Sequence, residues 1–142
     1  MEYAAWGNLY SIKNKQPYKK FDEKTTAGVI KQVTEAILYM HDKGVIHRDI
    51  KPENLLNSFV PITLFNSIIN LPKGMIKLCD FGWAVYAPND QQRETLCGTP
   101  DYVSPEMLIN KIYNKTVDIW SIGILMYEFL TGKPPFETWS CD

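Results

Sequence analysis

Residues 116–131, TVDIWSIGILMYEFLT, are apolar on nearly every side of a helical turn. A surface helix keeps a polar face, and this stretch has almost none, so it is predicted to be a core helix. Gly132, Pro134 and Pro135 end it. Its most apolar part, Ile119 to Leu130, is too short to span a bilayer and carries Glu128, so no membrane partner is expected. With 45% apolar and 22% charged residues the whole chain is expected to fold rather than stay disordered. A length of 142 residues suits about one domain or a piece of a larger one.

The second strong period lies at residues 22–44. Asp22 is placed to cap a helix, and Val29, Val33, Ile37 and His41 recur every four residues on one face. Lys43 falls in the last turn and Gly44 where a stop is expected. Val45-Ile46 reads as a very short strand, Leu55-Leu56 as another short apolar run, and Met75 to Cys79 as a half-buried strand. From Asp80 to Glu106 no period is visible, and a loop that long is usually functional or disordered. No internal repeat or low-complexity tract appears.

Charge and cysteine usage exclude several classes. Fifteen Lys+Arg against sixteen Asp+Glu leave a net charge of -1, with no basic excess for a run of phosphates, so nucleic acid is not the expected partner. Cys79, Cys97 and Cys141 are an odd set without metal-ligand spacing, which fits free thiols in a reducing compartment. The first residues, MEYAAWG, lack the basic flank and apolar core of a signal peptide, and an intracellular chain is expected.

The chemistry-bearing residues fall in two polar loops. In the first, His47-Arg48-Asp49-Ile50-Lys51-Pro52-Glu53-Asn54, an acid, a lysine and an amide lie within six residues. The acid can accept a hydroxyl proton, the lysine can neutralise a phosphoryl group in transfer, and the amide can hold a metal ion. The second opens with Asp80-Phe81-Gly82 after a strand, where a carboxylate can ligate magnesium and the glycine lets the backbone turn. Taken singly, Asp49 and Asp80 would read as solvated loop acids, His47 as a packed histidine, Trp83 and Trp120 as packing residues, Cys97 as an inert thiol, and Lys111 and Lys115 as solvated surface.

Together these loops resemble the catalytic loop and magnesium-binding triplet of eukaryotic protein kinases. Further signatures follow in that family's order: Gly98-Thr99-Pro100-Asp101-Tyr102, Ser104-Pro105-Glu106, and Asp118-Ile119-Trp120-Ser121-Ile122-Gly123. Asp80 to Val85, Ala87-Pro88 and Thr95 to Thr99 are most similar to the Aurora group of Ser/Thr kinases, with Trp83 and the TLCGT run as the discriminating parts. The resemblance implies an α+β fold of the protein-kinase type, mainly its helical C-terminal lobe.

It also implies roles, position by position. Asp49 would orient the acceptor hydroxyl and take its proton, Lys51 would neutralise the phosphoryl group, and Asn54 and Asp80 would hold Mg2+. ATP would contact Glu2 to Ala4 through hinge backbone groups, Lys51, Glu53, Asn54 and Asp80, with Leu56 flooring the adenine pocket. Thr95 would be the activating phosphosite, its charge paired by Arg48; Arg48, Glu53 and Thr99 would be phosphosite and substrate contacts. Lys51 after Ile50, in place of an Ala-Ala-Arg arrangement, favours serine and threonine acceptors. Arg93 and Leu96 flank Thr95 as in a substrate, so autophosphorylation in trans is expected. The family role is mitotic, with cytoplasmic and nuclear pools and sites at centrosomes, spindle or chromosomes, protein substrates bearing a nearby upstream arginine, and an activating protein partner.

Three departures accompany the resemblance. Residues 1–142 match a partial kinase domain from hinge to central helix, with the N-terminal lobe and later helices expected to be missing, so the isolated chain is expected to be inactive. Between Asn54 and Asp80 stand 25 residues where the family has a tight hairpin; residues 57–74 form an atypical apolar insertion, read as a lineage-specific loop, a retained intron or a faulty gene model. Asn8 stands where basophilic relatives carry glutamate. The rival readings are a non-catalytic C-lobe binding module and a non-functional gene fragment.

Overall fold

A computed structural model describes residues 7–58 and 75–136. Four α-helices, α1 (Leu9–Asn14), α2 (Glu23–Asp42), α3 (Pro105–Ile109) and α4 (Thr116–Thr131), are the main regular elements of the described residues. Four short strands, β1 (Val45–Ile46), β2 (Leu55–Asn57), β3 (Ile76–Leu78) and β4 (Val85–Tyr86), make two antiparallel pairs. This is the α+β, helix-dominated architecture expected.

The long helix α2 begins where its cap lies. Asp22 accepts from the Thr25 backbone N–H at 2.8 Å and from the Thr25 hydroxyl, satisfying one of the orphan donors of the first turn. Those bonds hold the Asp22 carboxyl below its ordinary pKa. At the other end Gly44 adopts φ +70, a conformation that lets the chain leave the helix and pair β1 with β4. Val29, Val33 and Ile37 of α2 face Ile122, Leu125 and Phe129 of α4, joined by Leu9, Phe21, Ile50 and Leu55. The Phe21 and Phe129 rings meet with centroids 5.1 Å apart. Each such side chain contributes about 1.5–3 kcal/mol on burial, so this interface sets the position of everything attached to it.

The helix α4 spans the predicted residues, but its surroundings differ from the expectation of burial on all sides. Val117, Ile122, Leu125 and Phe129 are buried, whereas Ile119, Met126 and Tyr127 are 54%, 45% and 47% exposed. Among the described residues α2 and the loops cover one side, and Trp120, half-buried at the margin of that core, stacks on Phe136.

Two carboxylates on the buried side of α4 are paired. Glu128 accepts from the ammonium of Lys13 in α1 at 2.6 Å and from the hydroxyl of Tyr102, and Lys13 also donates to the carbonyl of Gly132 at 2.9 Å. Burial and the Glu128 carboxylate push the Tyr102 phenol far above its ordinary value. Asp118, the second carboxylate, organises the polar loop described below.

The interval between the two motif loops closes as a hairpin at its described ends. Leu55, Leu56 and Asn57 pair with Leu78, Lys77 and Ile76, and Ser58 donates to the carbonyl of Met75. Residues 59–74, most of the expected insertion, lie outside the described residues, as do Glu2, Ala4 and Cys141. The stretch from Asp80 to Glu106 is more ordered than its lack of period suggests: it holds β4, two 3-10 turns (Pro88–Asp90 and Pro100–Tyr102) and the start of α3. These elements are two to five residues long, too short to show a period.

Candidate active site

The loop at 47–54 is built onto α4 through its backbone. The buried Asp118 carboxylate accepts from the N–H of His47 at 3.0 Å and of Arg48 at 2.8 Å, and its Oδ2 also meets His41 Nε2 at 2.8 Å. Arg48 takes φ +70, and these two bonds hold it there. A turn held from behind in this way presents its next side chain, Asp49, in one orientation.

Asp49 lies at the centre of a closed set of bonds. The Lys51 ammonium stands 3.0 Å from Oδ2, the Thr99 hydroxyl donates to Oδ1 at 2.8 Å, and Lys51 donates to Thr99 at 2.7 Å. Asn54 Nδ2 donates to the Asp49 carbonyl at 2.8 Å and to Oδ2 at 3.1 Å. Burial alone would raise the Asp49 pKa, but Lys51, Thr99 and Asn54 together hold it below its ordinary value. The group is a carboxylate at neutral pH and 4% exposed, able to accept a hydrogen bond from a hydroxyl.

His47 is a packed, neutral residue, as expected. Its Nδ1 accepts from the Asp49 N–H at 3.3 Å and its Nε2 lies 3.2 Å from the Cys79 carbonyl, which together assign the proton to Nε2. Burial lowers its pKa against the pull of nearby Asp118. The Phe81 ring meets it edge-on with centroids 5.1 Å apart.

Asp80 follows β3, exposed, with φ +58 and its Oδ1 accepting from Gly82 N–H at 3.2 Å. Next to it Cys79 is half-buried, and burial raises its thiol. The donor set suits a hard divalent ion that brings its own oxygen ligands. Asn54 spends its N–H groups on Asp49, which leaves its amide oxygen for a cation, and Asp80 adds an exposed carboxylate. Among the described residues no group of three or more His, Cys, Asp or Glu gathers into a metal cage. Magnesium held by one or two protein oxygens plus phosphates and water does not need one.

The remaining predicted residues are placed as follows. Leu56 is half-buried in β2 and bridges Asn8. Glu53 is half-buried in the 3-10 turn Pro52–Asn54. Thr95 is exposed. Asn8 caps α1, its Oδ1 accepting from Ser11 N–H at 2.9 Å, so its side chain has a structural task. Trp83 is 48% exposed instead of packed, and its carbonyl accepts from Arg48 Nε at 2.7 Å. Lys111 is exposed as expected, and Lys115 pairs with Asp90 at 2.8 Å on the surface. Beside Thr99 opens a cavity of about 440 Å³ lined by Trp83, Leu96, Cys97, Gly98, Val103 and Leu108. Motif reading missed the contacts of His41 with Asp118 and of Tyr113 with Arg48, together with the anchoring by Asp118. A charged residue within an apolar helix was the available signal for Asp118, because such a carboxylate must find partners inside.

The protein kinase domain model matches residues 1–141. An Aurora kinase of Yarrowia lipolytica is 49% identical over 137 residues, covering 96% of this chain and 33% of that protein. An Aurora kinase of Patiria pectinifera is 50% identical over 97% of the chain and 30% of its own length. Aurora kinase C of Mus musculus is 47% identical over 97% of the chain and 44% of its own length. The chain thus spans between about a third and under half of these relatives. An acid bonded to lysine, threonine and asparagine, anchored on a central helix and followed by Asp-Phe-Gly, has the family's own sequence around it: the chain belongs to the protein kinase family, and the relatives it matches are Aurora kinases.

Proposed function

We propose that the protein carrying this chain is an Aurora-like serine/threonine kinase that transfers the γ-phosphoryl group of ATP to protein hydroxyls. The observation that carries this reading is the bonding of Asp49 to Lys51, Thr99 and Asn54. A carboxylate held ionised there can orient an acceptor hydroxyl and take its proton as the phosphoryl group departs. Lys51, already 3.0 Å from that carboxylate, meets the transferring group with positive charge. Asn54 and Asp80 would hold Mg2+, which neutralises charge on the β- and γ-phosphates. Protein kinases in general use ATP and Mg2+, and the assignment of Lys51, Glu53, Asn54, Leu56 and Asp80 to ATP extends that to this chain. Glu2 and Ala4 belong to the same proposal as hinge contacts.

Peptide choice follows from the neighbouring surface. Glu53 offers a half-exposed carboxylate to an arginine just upstream of the acceptor, and the apolar cavity beside Thr99 suits an aliphatic residue after it. The segment around Thr95, with Arg93 before and Leu96 after, meets both requirements, which supports phosphorylation of one copy by another. Thr95 modification would then bring a charge to Arg48. Likeness to Aurora kinases supports a mitotic role at centrosomes, spindle or chromosomes and an activating protein partner. Among the described residues no helix is long and apolar enough to cross a membrane.

The test uses the natural full-length protein, purified with wild-type and Asp49→Asn sequences, on serine and tyrosine peptides. Transfer to serine that falls at least about 10³-fold in the variant is expected, since both acceptance of the proton and orientation are lost. Transfer unchanged by the substitution, or preferred on tyrosine, would overturn the reading.

A further inference from the structure

Tyr113 is a buried phenol. It is 3% exposed, packed with Ile46, Cys97, Met107 and Val117, yet its hydroxyl carries two short hydrogen bonds. It accepts from Arg48 Nη1 at 2.7 Å and donates to the carbonyl of Thr95 at 2.5 Å. A buried phenol needs one partner; this one joins two polar groups from separate loops. Its own backbone pairs with Arg93 in both directions, at 2.8 and 3.0 Å, so the chain two residues before Thr95 is fixed to the same residue.

We infer that Tyr113 is a positioning residue for modification at Thr95: its hydroxyl holds the Arg48 guanidinium against the Thr95 main chain, so an added phosphate meets a counter-charge already in place. This rests on the reading of Thr95 as a phosphosite paired by Arg48. The Thr95 side chain is exposed while its carbonyl is tied, which leaves the hydroxyl accessible to a kinase and the backbone in register. Arg48 spends two of its N–H groups, on Trp83 and Tyr113, and a guanidinium has five. The others remain for phosphate oxygens without breaking the bond to Tyr113. Without the hydroxyl, Arg48 would be held only at Trp83, whose ring is half exposed, and ordering the long side chain would cost entropy at the moment of pairing.

The experiment places phosphothreonine at position 95 of the natural full-length protein and follows its phosphate by ³¹P NMR through a pH titration. Free phosphothreonine has a second pKa of about 6. Wild type is expected clearly below that value, Arg48→Met is expected to return to it, and Tyr113→Phe, which keeps the ring and its packing, is expected to recover at least half of the shift. Recovery in Arg48→Met with none in Tyr113→Phe overturns the role of Tyr113 and leaves the phosphosite reading standing. A wild-type phosphate at about 6 overturns the pairing itself and this inference with it. Should Tyr113→Phe fail to fold, the unmodified wild type decides. A Tyr113 hydroxyl proton in slow exchange with water supports the inference, and one in free exchange overturns it.

Discussion

The two motif-bearing loops are held in opposite ways. In residues 47–54, His47, Asp49, Ile50, Pro52 and Asn54 are all buried, and the polar ones find partners in the loop itself or on Asp118 of α4. In residues 80–99, Phe81, Trp83 and Leu96 are 53%, 48% and 60% exposed, and Asp80, Glu94 and Thr95 face outward. That second segment touches the first at discrete points: Trp83 on Arg48, Thr99 on Asp49, and Tyr113 between Arg48 and Thr95. A loop held by many buried bonds resists rearrangement, whereas a segment fixed at a few bonds can respond to one added charge. The proposed catalytic acid lies on the first kind of loop and the proposed phosphosite on the second.

The largest expected effect comes from removing the anchor. Asp118→Ala leaves the N–H groups of His47 and Arg48 without their acceptor and empties a fully buried site. A loss of about 3–5 kcal/mol by urea unfolding is expected, with residues 47–54 exchanging amide protons as fast as residues 80–99. A loss under about 1 kcal/mol would show that core packing alone holds the loop.

Gly98 marks a point of contact between the two loops. It adopts φ +96, and a Cβ there would stand 2.6 Å from the Arg48 carbonyl. Gly98→Ala is therefore expected to cost about 1–3 kcal/mol in equilibrium unfolding and to shift the NMR signals of Thr99 and Asp49 together. Signals that move only at Thr99 would break the coupling of the loops.

The smallest effect is a slope with pH. The folded pKa of His47 lies below its ordinary 6.5, so the unfolded chain binds more protons as the pH falls past that value. Stability is therefore expected to be full above about pH 6.5 and to decline as the pH drops toward the folded pKa. Asp49 acts lower: its folded pKa is below 3.8, so its contribution is present above that pH and is lost as the pH falls through the folded value. Melting temperatures between pH 8 and 5, compared for wild type and His47→Gln, check the upper window. Equal slopes would remove His47 from the account.

The sequence makes the long elements legible and hides the short ones. The Asp22 cap, the period of Val29, Val33 and Ile37, and Gly44 mark α2, and Gly132 marks the end of α4. With six and five residues, α1 and α3 are too short for a period to appear. The one-sided burial of α4 was not readable either, since composition states what a helix tolerates and not which neighbours arrive. For the site, Asp49, Lys51, Asn54 and Asp80 stand out because a short chain segment brings the first three together and a strand presents the fourth. Thr99 reaches Asp49 from 50 residues away and Tyr113 reaches Arg48 from 65, and no local pattern reveals such meetings.

The bond from Asp118 to the backbone of His47 spans 71 residues of sequence. During synthesis at about 5–20 residues per second, the acid-bearing turn leaves the ribosome roughly 4–14 seconds before its anchor does. Throughout that interval Asp49 has no Asp118 behind it, and Thr99 joins it only in the last part, so a nascent chain arrested before residue 99 lacks two of the contacts that shape the turn.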